Sequence, residues 1–89
     1  MKSYKVAYKR RAQKFVEKLD KPIQERIKSW VEKNLEGCEN PRLRGLPLEG
    51  DLRNYWRYRV GDYRIVANIQ DERIIIMIVN VDKRNDVYK

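Results

Sequence analysis

The feature of this chain with the clearest chemical consequence is a strand with arginine at three of four successive alternate positions. On a strand from Leu52 to Val60, alternation puts Arg53, Tyr55, Arg57 and Arg59 on one face and Leu52, Asn54, Trp56, Tyr58 and Val60 on the other. Like charges side by side on a sheet repel and weaken it, so the pattern points to a polyanion outside the fold. A guanidinium suits that partner, because it offers two parallel N–H donors to phosphate oxygens and stays charged. Residues 42–64 carry Arg42, Arg44, Arg53, Arg57, Arg59 and Arg64 and no lysine, against Glu49, Asp51 and Asp62. Arginine in place of lysine favours bidentate contacts to phosphate or carboxylate.

The rest of the composition agrees. The chain has 89 residues, 42% hydrophobic and 38% charged, with a formal charge of +8. That size and composition predict one globular domain, 1–89, with a modest core and a heavily charged surface. Such a basic balance favours nucleic acid or an acidic protein partner. A second basic block lies at the start, where Lys2, Lys5, Lys9, Arg10, Arg11, Lys14, Lys18 and Lys21 face only Glu17 and Asp20. There is no histidine and Cys38 is the one cysteine. An imidazole base, a His-ligated metal and an internal disulfide are therefore excluded, and neither metal nor cofactor is expected. Cys38 reads as a loop residue with no special role. No apolar run resembles a signal peptide or a membrane span, so a cytoplasmic protein is expected.

These residues need a scaffold, and the periodicity supplies one. Residues 3–8 alternate and predict a first strand. Over 9–19 the period changes, with Ala12, Phe15, Val16 and Leu19 at helical spacing. Asp20 can cap a second helix, with Pro22 in its first turn, an apolar face of Ile23, Ile27, Trp30, Val31 and Leu35, and Gly37 as its stop. Residues 37–50 read as a loop pinned to the core by Leu43, Leu46 and Leu48. Strands over about 52–60, 62–69 and 73–81 follow, with turns at Gly61-Asp62 and Asp71-Glu72. The last strand, Ile74 to Val79, is apolar on both faces and is expected to be central. Trp30, Trp56, Tyr58 and Tyr63 read as core residues. The sum is an α+β fold: an N-terminal strand, a helical hairpin, then a three-stranded antiparallel meander, one sheet packed on the helices. The uncovered face of that sheet should carry the arginines.

Three motifs then fall into place together: Pro41-Arg42-Leu43-Arg44-Gly45, Trp56-Arg57-Tyr58-Arg59-Val60-Gly61-Asp62-Tyr63-Arg64 and Lys83-Arg84-Asn85-Asp86-Val87-Tyr88. With the order of elements, they resemble the RelE branch of the RelE/ParE toxin superfamily over essentially the whole chain. The resemblance implies a RelE-like fold and a type II toxin held inactive by a cognate, RelB-like antitoxin. It also implies a ribosome-dependent endoribonuclease that cuts mRNA in the A site. In the resemblance, Arg64 matches the arginine that contacts the reacting phosphate and Arg57 a basic strand position that helps carry catalysis. Arg84 matches the arginine of the C-terminal basic motif, and Tyr88 a near-terminal tyrosine that stacks on a base. Lys83 stands where many relatives have histidine or another basic residue. Two positions depart from the pattern: Tyr55 replaces a lysine of the best-studied branch, and Leu46 stands where other relatives have the glutamate of a Glu–His pair.

Metal-free RNA cleavage requires a proton to leave the ribose 2′-OH, the crowded phosphate to be stabilised, and the 5′-oxygen to gain a proton. Arg57, Arg64 and Arg84 suit the second task. Arginine is a poor base, but lysine can be tuned by neighbouring cations, so Lys83 beside Arg84 is a candidate for proton transfer; Tyr88 is a second, with stacking its easier role. Arg53, Tyr55 and Arg59, with Arg10, Arg11 and Lys14 of the first helix, are candidate RNA contacts. The run over 9–18 also reads as a solvated helix face or a dock for an acidic antitoxin segment. A ParE-like gyrase inhibitor, acting by protein binding, and a non-catalytic RNA-binding relative are the competing functions.

Overall fold

A computed structural model describes residues 2–48 and 54–83. In chain order they form β1 (Lys5–Tyr8), α1 (Arg10–Glu17), α2 (Lys21–Asn34), β2 (Leu46–Pro47), β3 (Tyr55–Val60), β4 (Tyr63–Gln70) and β5 (Ile75–Lys83). One five-stranded sheet runs in the order β1-β5-β4-β3-β2. β3, β4 and β5 are the expected antiparallel meander. β1 adds parallel to β5, with Lys5 opposite Ile75 and Tyr8 opposite Ile78. The α+β architecture is as the sequence implied, and the helices cover one face of the sheet.

The core lies between that face and the helices. Ala12 and Val16 of α1, Ile27 and Val31 of α2, and Leu35 are buried with Tyr58, Val60, Ile65, Ala67, Ile69, Ile76, Ile78 and Val81 of the sheet. Each fully buried aliphatic side chain stabilises by about 1.5–3 kcal/mol relative to exposure, so this two-layer contact is what sets the strand register. Trp30, Trp56 and Tyr63 are half-buried at its margin, and the Trp30 ring meets Tyr58 at 5.8 Å.

Several expectations need correction. β4, not β5, holds the centre of the sheet; Ile75 and Met77 of β5 are only half-buried on the open face. β5 begins at Ile75, not 73, because the turn takes four residues, Asp71 to Ile74. Asp71 is drawn away from the strand ends: it accepts the Tyr4 hydroxyl proton at 2.6 Å and both Nη groups of Arg42, at 3.1 and 3.0 Å. Asp20 precedes α2 but makes no side-chain cap. Its carbonyl accepts the N–H groups of Ile23 and Gln24 instead, and the Gln24 amide donates to the Leu19 carbonyl at 2.7 Å.

Two of the three leucines expected to pin the loop after α2 do not; Leu48 alone is half-buried. Leu43 is 79% exposed and Leu46 56%. Donors from the sheet hold it, since a loop's carbonyls need partners once they leave water. Buried Tyr58 gives its hydroxyl proton to the Pro41 carbonyl at 2.6 Å, and the Trp56 indole N–H donates to the Arg44 carbonyl at 2.6 Å. Part of this segment is the short strand β2, Leu46 opposite Arg57 and Pro47 opposite Trp56. Gly45 makes the approach possible: its φ is +76°, and a Cβ there would run into the Arg57 carbonyl oxygen.

Candidate active site on the open face of the sheet

Alternation along β3 sorts as the sequence requires: Tyr58 and Val60 are buried, Arg57 and Arg59 exposed. β4 adds Arg64 to the exposed side, because Ile65 and Ala67 take the buried one. The register then builds rows across three strands. Arg59 lies opposite Arg64, and Arg64 opposite Asp82. In the next row Arg57 lies opposite Val66, and Val66 opposite Asn80. Arg57 and Arg64 are therefore diagonal neighbours, with Cβ atoms about 7 Å apart at most and long side chains that can converge on one phosphate.

The charges in the first row are two positive and one negative. Arginines directly opposite each other repel, and Asp82 relieves part of this. Its carboxylate accepts Arg64 Nε–H at 3.3 Å, with Asn80 Nδ2 at 3.4 Å on its other oxygen. Among the described residues Asp82, and not Asp62 of the β3–β4 turn, is thus the partner of Arg64. The Asp82 contact uses Nε and leaves both Nη groups of Arg64 without a partner among the described residues. Asp82 and Asn80 were missed in the sequence. Their signal exists only once the register is known: carried on from the Asp71–Ile74 turn it would set Arg64 opposite Val81, and the irregularity between Val66 and Ala67 moves it by one residue to Asp82.

α1 brings the second basic block to the same end of the sheet. β1 stops at Tyr8, and the Lys9 N–H donates to the Ile78 carbonyl at 2.8 Å as the chain turns into α1. The last residues of β5 therefore have a helix, not a strand, on this side. Arg10, Arg11 and Lys14 line a cleft of about 730 Å³ there, together with Phe15, Asn80 and Asp82. Ala12 and Val16 face the core, so the helix presents its cations outward.

Not every candidate converges. Tyr55 is half-buried opposite Asn68, one row beyond Arg57. Lys83 is exposed at the end of β5 and opposite Tyr63; alternation gives it the face of Val81, not that of Asp82 and Arg64. Arg53, Arg84 and Tyr88 lie outside the described residues. Burial raises the Tyr58 hydroxyl far above its ordinary value and also pushes the Cys38 thiol up, so neither supplies an anion at neutral pH. What the described residues provide is a pair of arginines, Arg57 and Arg64, on neighbouring strands of the open face, flanked by a cationic helix.

Comparison with known proteins agrees with this geometry. The family model for the ParE toxin of the type II toxin–antitoxin system parDE matches residues 6–88. The chain is 35% identical over 88 residues to a RelE-like toxin protein of Escherichia coli, covering 96% of this chain and 90% of the relative. Among solved structures, the toxin–antitoxin complex RelBE2 of Mycobacterium tuberculosis superposes with a TM-score of 0.83 at 29% identity over 97% of each chain. The archaeal RelE–RelB complex of Pyrococcus horikoshii superposes at 0.76, with 25% identity over 96% of this chain and 99% of the other.

Proposed function

The chain matches the ParE toxin family model of type II toxin–antitoxin systems and belongs to the RelE branch of the RelE/ParE superfamily, and from that membership we propose that it is a ribosome-dependent endoribonuclease that cleaves mRNA in the A site. The observation that carries the reading is the arginine group of Arg57, Arg59 and Arg64 on an open sheet face. The 2′-oxygen attacks the adjacent phosphorus, the bond from phosphorus to the 5′-oxygen breaks, and a 2′,3′-cyclic phosphate and a 5′-hydroxyl result. Arg64 and Arg57 hold the non-bridging oxygens as charge develops on them. Arg84 and Tyr88 complete the proposed catalytic group, Tyr88 stacking on a base; Lys83, which starts on the opposite face at the exposed end of β5, serves in proton transfer only by reaching round the strand end. Arg10, Arg11, Lys14, Arg53, Tyr55 and Arg59 contact RNA.

No described residue is a strong base placed beside Arg64, which fits an enzyme that depends on the ribosome to orient its substrate. Positioning alone can contribute about 7–11 kcal/mol to lowering a barrier. A RelB-like antitoxin is the proposed partner, since the two complexes above pair such toxins with RelB proteins. No helix among the described residues is long and apolar enough to cross a membrane, and a cytoplasmic location is proposed with the ribosomal target.

Primer extension on a defined mRNA in a purified translation system tests the proposal. The expected result is cuts within A-site codons, only with ribosomes present, and absent with Arg64→Ala. Intact mRNA at toxin excess, with inhibition of DNA supercoiling, would transfer the assignment to a gyrase inhibitor, the reading that the ParE family name favours.

A further inference from the structure

On the helix side of the molecule, around the corner from the arginine face, α2 runs beside the β3–β4 turn. Arg26, Ser29, Trp30 and Lys33 lie on one stripe of α2 at helical spacing. Between this stripe and the end of β3 is a cleft of about 440 Å³, also lined by Arg59 and Gly61. Its cations have no counter-charge: neither Arg26, Lys33 nor Arg59 makes an ion pair or a side-chain hydrogen bond to another described residue, Asp62 of the same turn included. α2 also bears Glu25 and Glu32, but both lie off this stripe.

The cleft is shaped around Arg26. A Cβ on Gly61 would lie 3.0 Å from Arg26 Cζ and 3.1 and 3.2 Å from its two Nη atoms. Three nearly equal distances mean that the guanidinium lies flat over the bare glycine. Packed in this way, one face of the guanidinium is covered while its edge, with the N–H donors, has no partner among the described residues. Trp30 is fixed at the inner wall by its contact with Tyr58. Arg59 belongs to both places: it lines this cleft and stands opposite Arg64 on the open face. The cationic track is thus continuous from the proposed cleavage site round the Gly61 turn to α2.

We propose that the Arg26–Lys33–Arg59 cleft is a second phosphate-binding site, taking the backbone of structured RNA and so anchoring the toxin on ribosomal RNA while Arg57 and Arg64 engage the message. The assignment deepens the ribosome-dependent reading and, in its ribosomal part, rests on it. Phosphate fits better than carboxylate. Two of the three cations are arginines with free forks, and the site continues a surface already suited to a polyanion. Two anchors on different faces also explain how a protein with a weak intrinsic base can hold its substrate in one orientation.

The test compares wild type with Arg26→Gln/Lys33→Gln, both exposed positions, after their melting temperatures are shown to match. Binding to a 20-base-pair RNA duplex is measured across a salt series. Losing two phosphate contacts should lower the slope of log K against log salt by about two. In wild type the Trp30 indole resonance should move on adding duplex, and in the variant it should not. On ribosomes, the toxin concentration for half-maximal cleavage should rise about tenfold with the saturated rate unchanged. An unchanged slope with an unchanged Trp30 response would overturn the site. So would a variant that keeps its RNA slope but loses binding to poly-glutamate, which would make the cleft a dock for an acidic protein. If wild type fails to cut mRNA at all, the catalytic reading falls, while the duplex measurements still decide the site.

Discussion

Arg42 and Arg64 each face one aspartate, with similar side-chain exposure, 32% and 43%. They nevertheless do opposite work. Arg42 grips both oxygens of Asp71, lies over the Trp56 ring at 5.9 Å, and shares Asp71 with the Tyr4 hydroxyl. Arg64 makes one contact through Nε at 3.3 Å. The hydrogen bonds from Arg42 and Tyr4 hold the Asp71 carboxyl below the usual carboxylate range, and the bond to Asp71 raises Arg42 further. Burial therefore does not separate a structural arginine from one available to a ligand; the number of donors already engaged does. The Arg42 fork is filled and ties the loop after α2 to the β4–β5 turn. The Arg64 fork is left open on a rigid strand.

The largest contrast comes from truncating each arginine. Arg64→Ala should lower ribosomal mRNA cleavage by about 10²–10³-fold, the usual cost of removing one charge-stabilising donor, while its melting temperature stays within a degree or two of wild type. Arg42→Ala should show the reverse. At this exposure solvent screening limits the ion pair to about 1 kcal/mol, and the lost contact with Trp56 adds about 0.5–1 kcal/mol. The expected fall in melting temperature is roughly 6–16 °C, with cleavage per folded molecule preserved. If Arg42→Ala instead abolished cleavage with its stability intact, the division between the two arginines would be wrong.

The division also explains what could be read from the sequence. The arginine face was legible because a strand's period of two is a strong local signal, and Tyr58 and Val60 confirm it by being buried while Arg57 and Arg59 are exposed. The helix faces were legible for the same reason, through Ala12, Val16, Ile27 and Val31. Hydropathy misled at Leu43 and Leu46, because the loop is held by tyrosine and tryptophan donors from a strand more than ten residues away. The parallel contact of β1 with β5 and the Arg64–Asp82 row depend on long-range register, which no local pattern encodes. The apolar run beginning at Ile74 hid the true start of β5, since Ile74 takes a turn conformation with φ +56°.

Acid and alkali should sharpen the comparison at the structural end. Asp71 has its folded-state value depressed, so its contribution to stability is complete above the unfolded value of about 3.9 and is lost as pH falls toward the lower folded value. The gap in melting temperature between wild type and Asp71→Asn should thus be flat from pH 5 to 7 and close as pH drops below about 4. Tyr4 and Tyr58 are raised, Tyr4 chiefly by its hydrogen bond to Asp71 and Tyr58 by burial. Their contribution is complete below about pH 10 and declines as pH climbs from there. Tyr58→Phe should lower stability at pH 7, because it leaves the Pro41 carbonyl without its donor, and should flatten the alkaline loss. An alkaline limb as steep in Tyr58→Phe as in wild type would assign that loss to other groups.

The smallest expected effect bears on the open arginine. Asp82 has two separable influences on Arg64: its charge cancels part of the field that attracts phosphate, and its oxygen fixes the direction of Nε. Asp82→Asn removes the charge and keeps an acceptor. It should lower the toxin concentration needed for half-maximal cleavage by about two- to fivefold, as expected for one like charge fewer among the phosphates, with the saturated rate within twofold of wild type. Asp82→Ala removes both influences. It should share the tighter binding but lose about three- to tenfold in saturated rate, corresponding to one hydrogen bond of about 0.5–1.5 kcal/mol that no longer orients the guanidinium. If the two variants behave alike, Arg64 orients itself on the strand and Asp82 acts through charge alone. If both lose rate without tighter binding, the negative end of the Arg59–Arg64–Asp82 row is part of what the substrate requires.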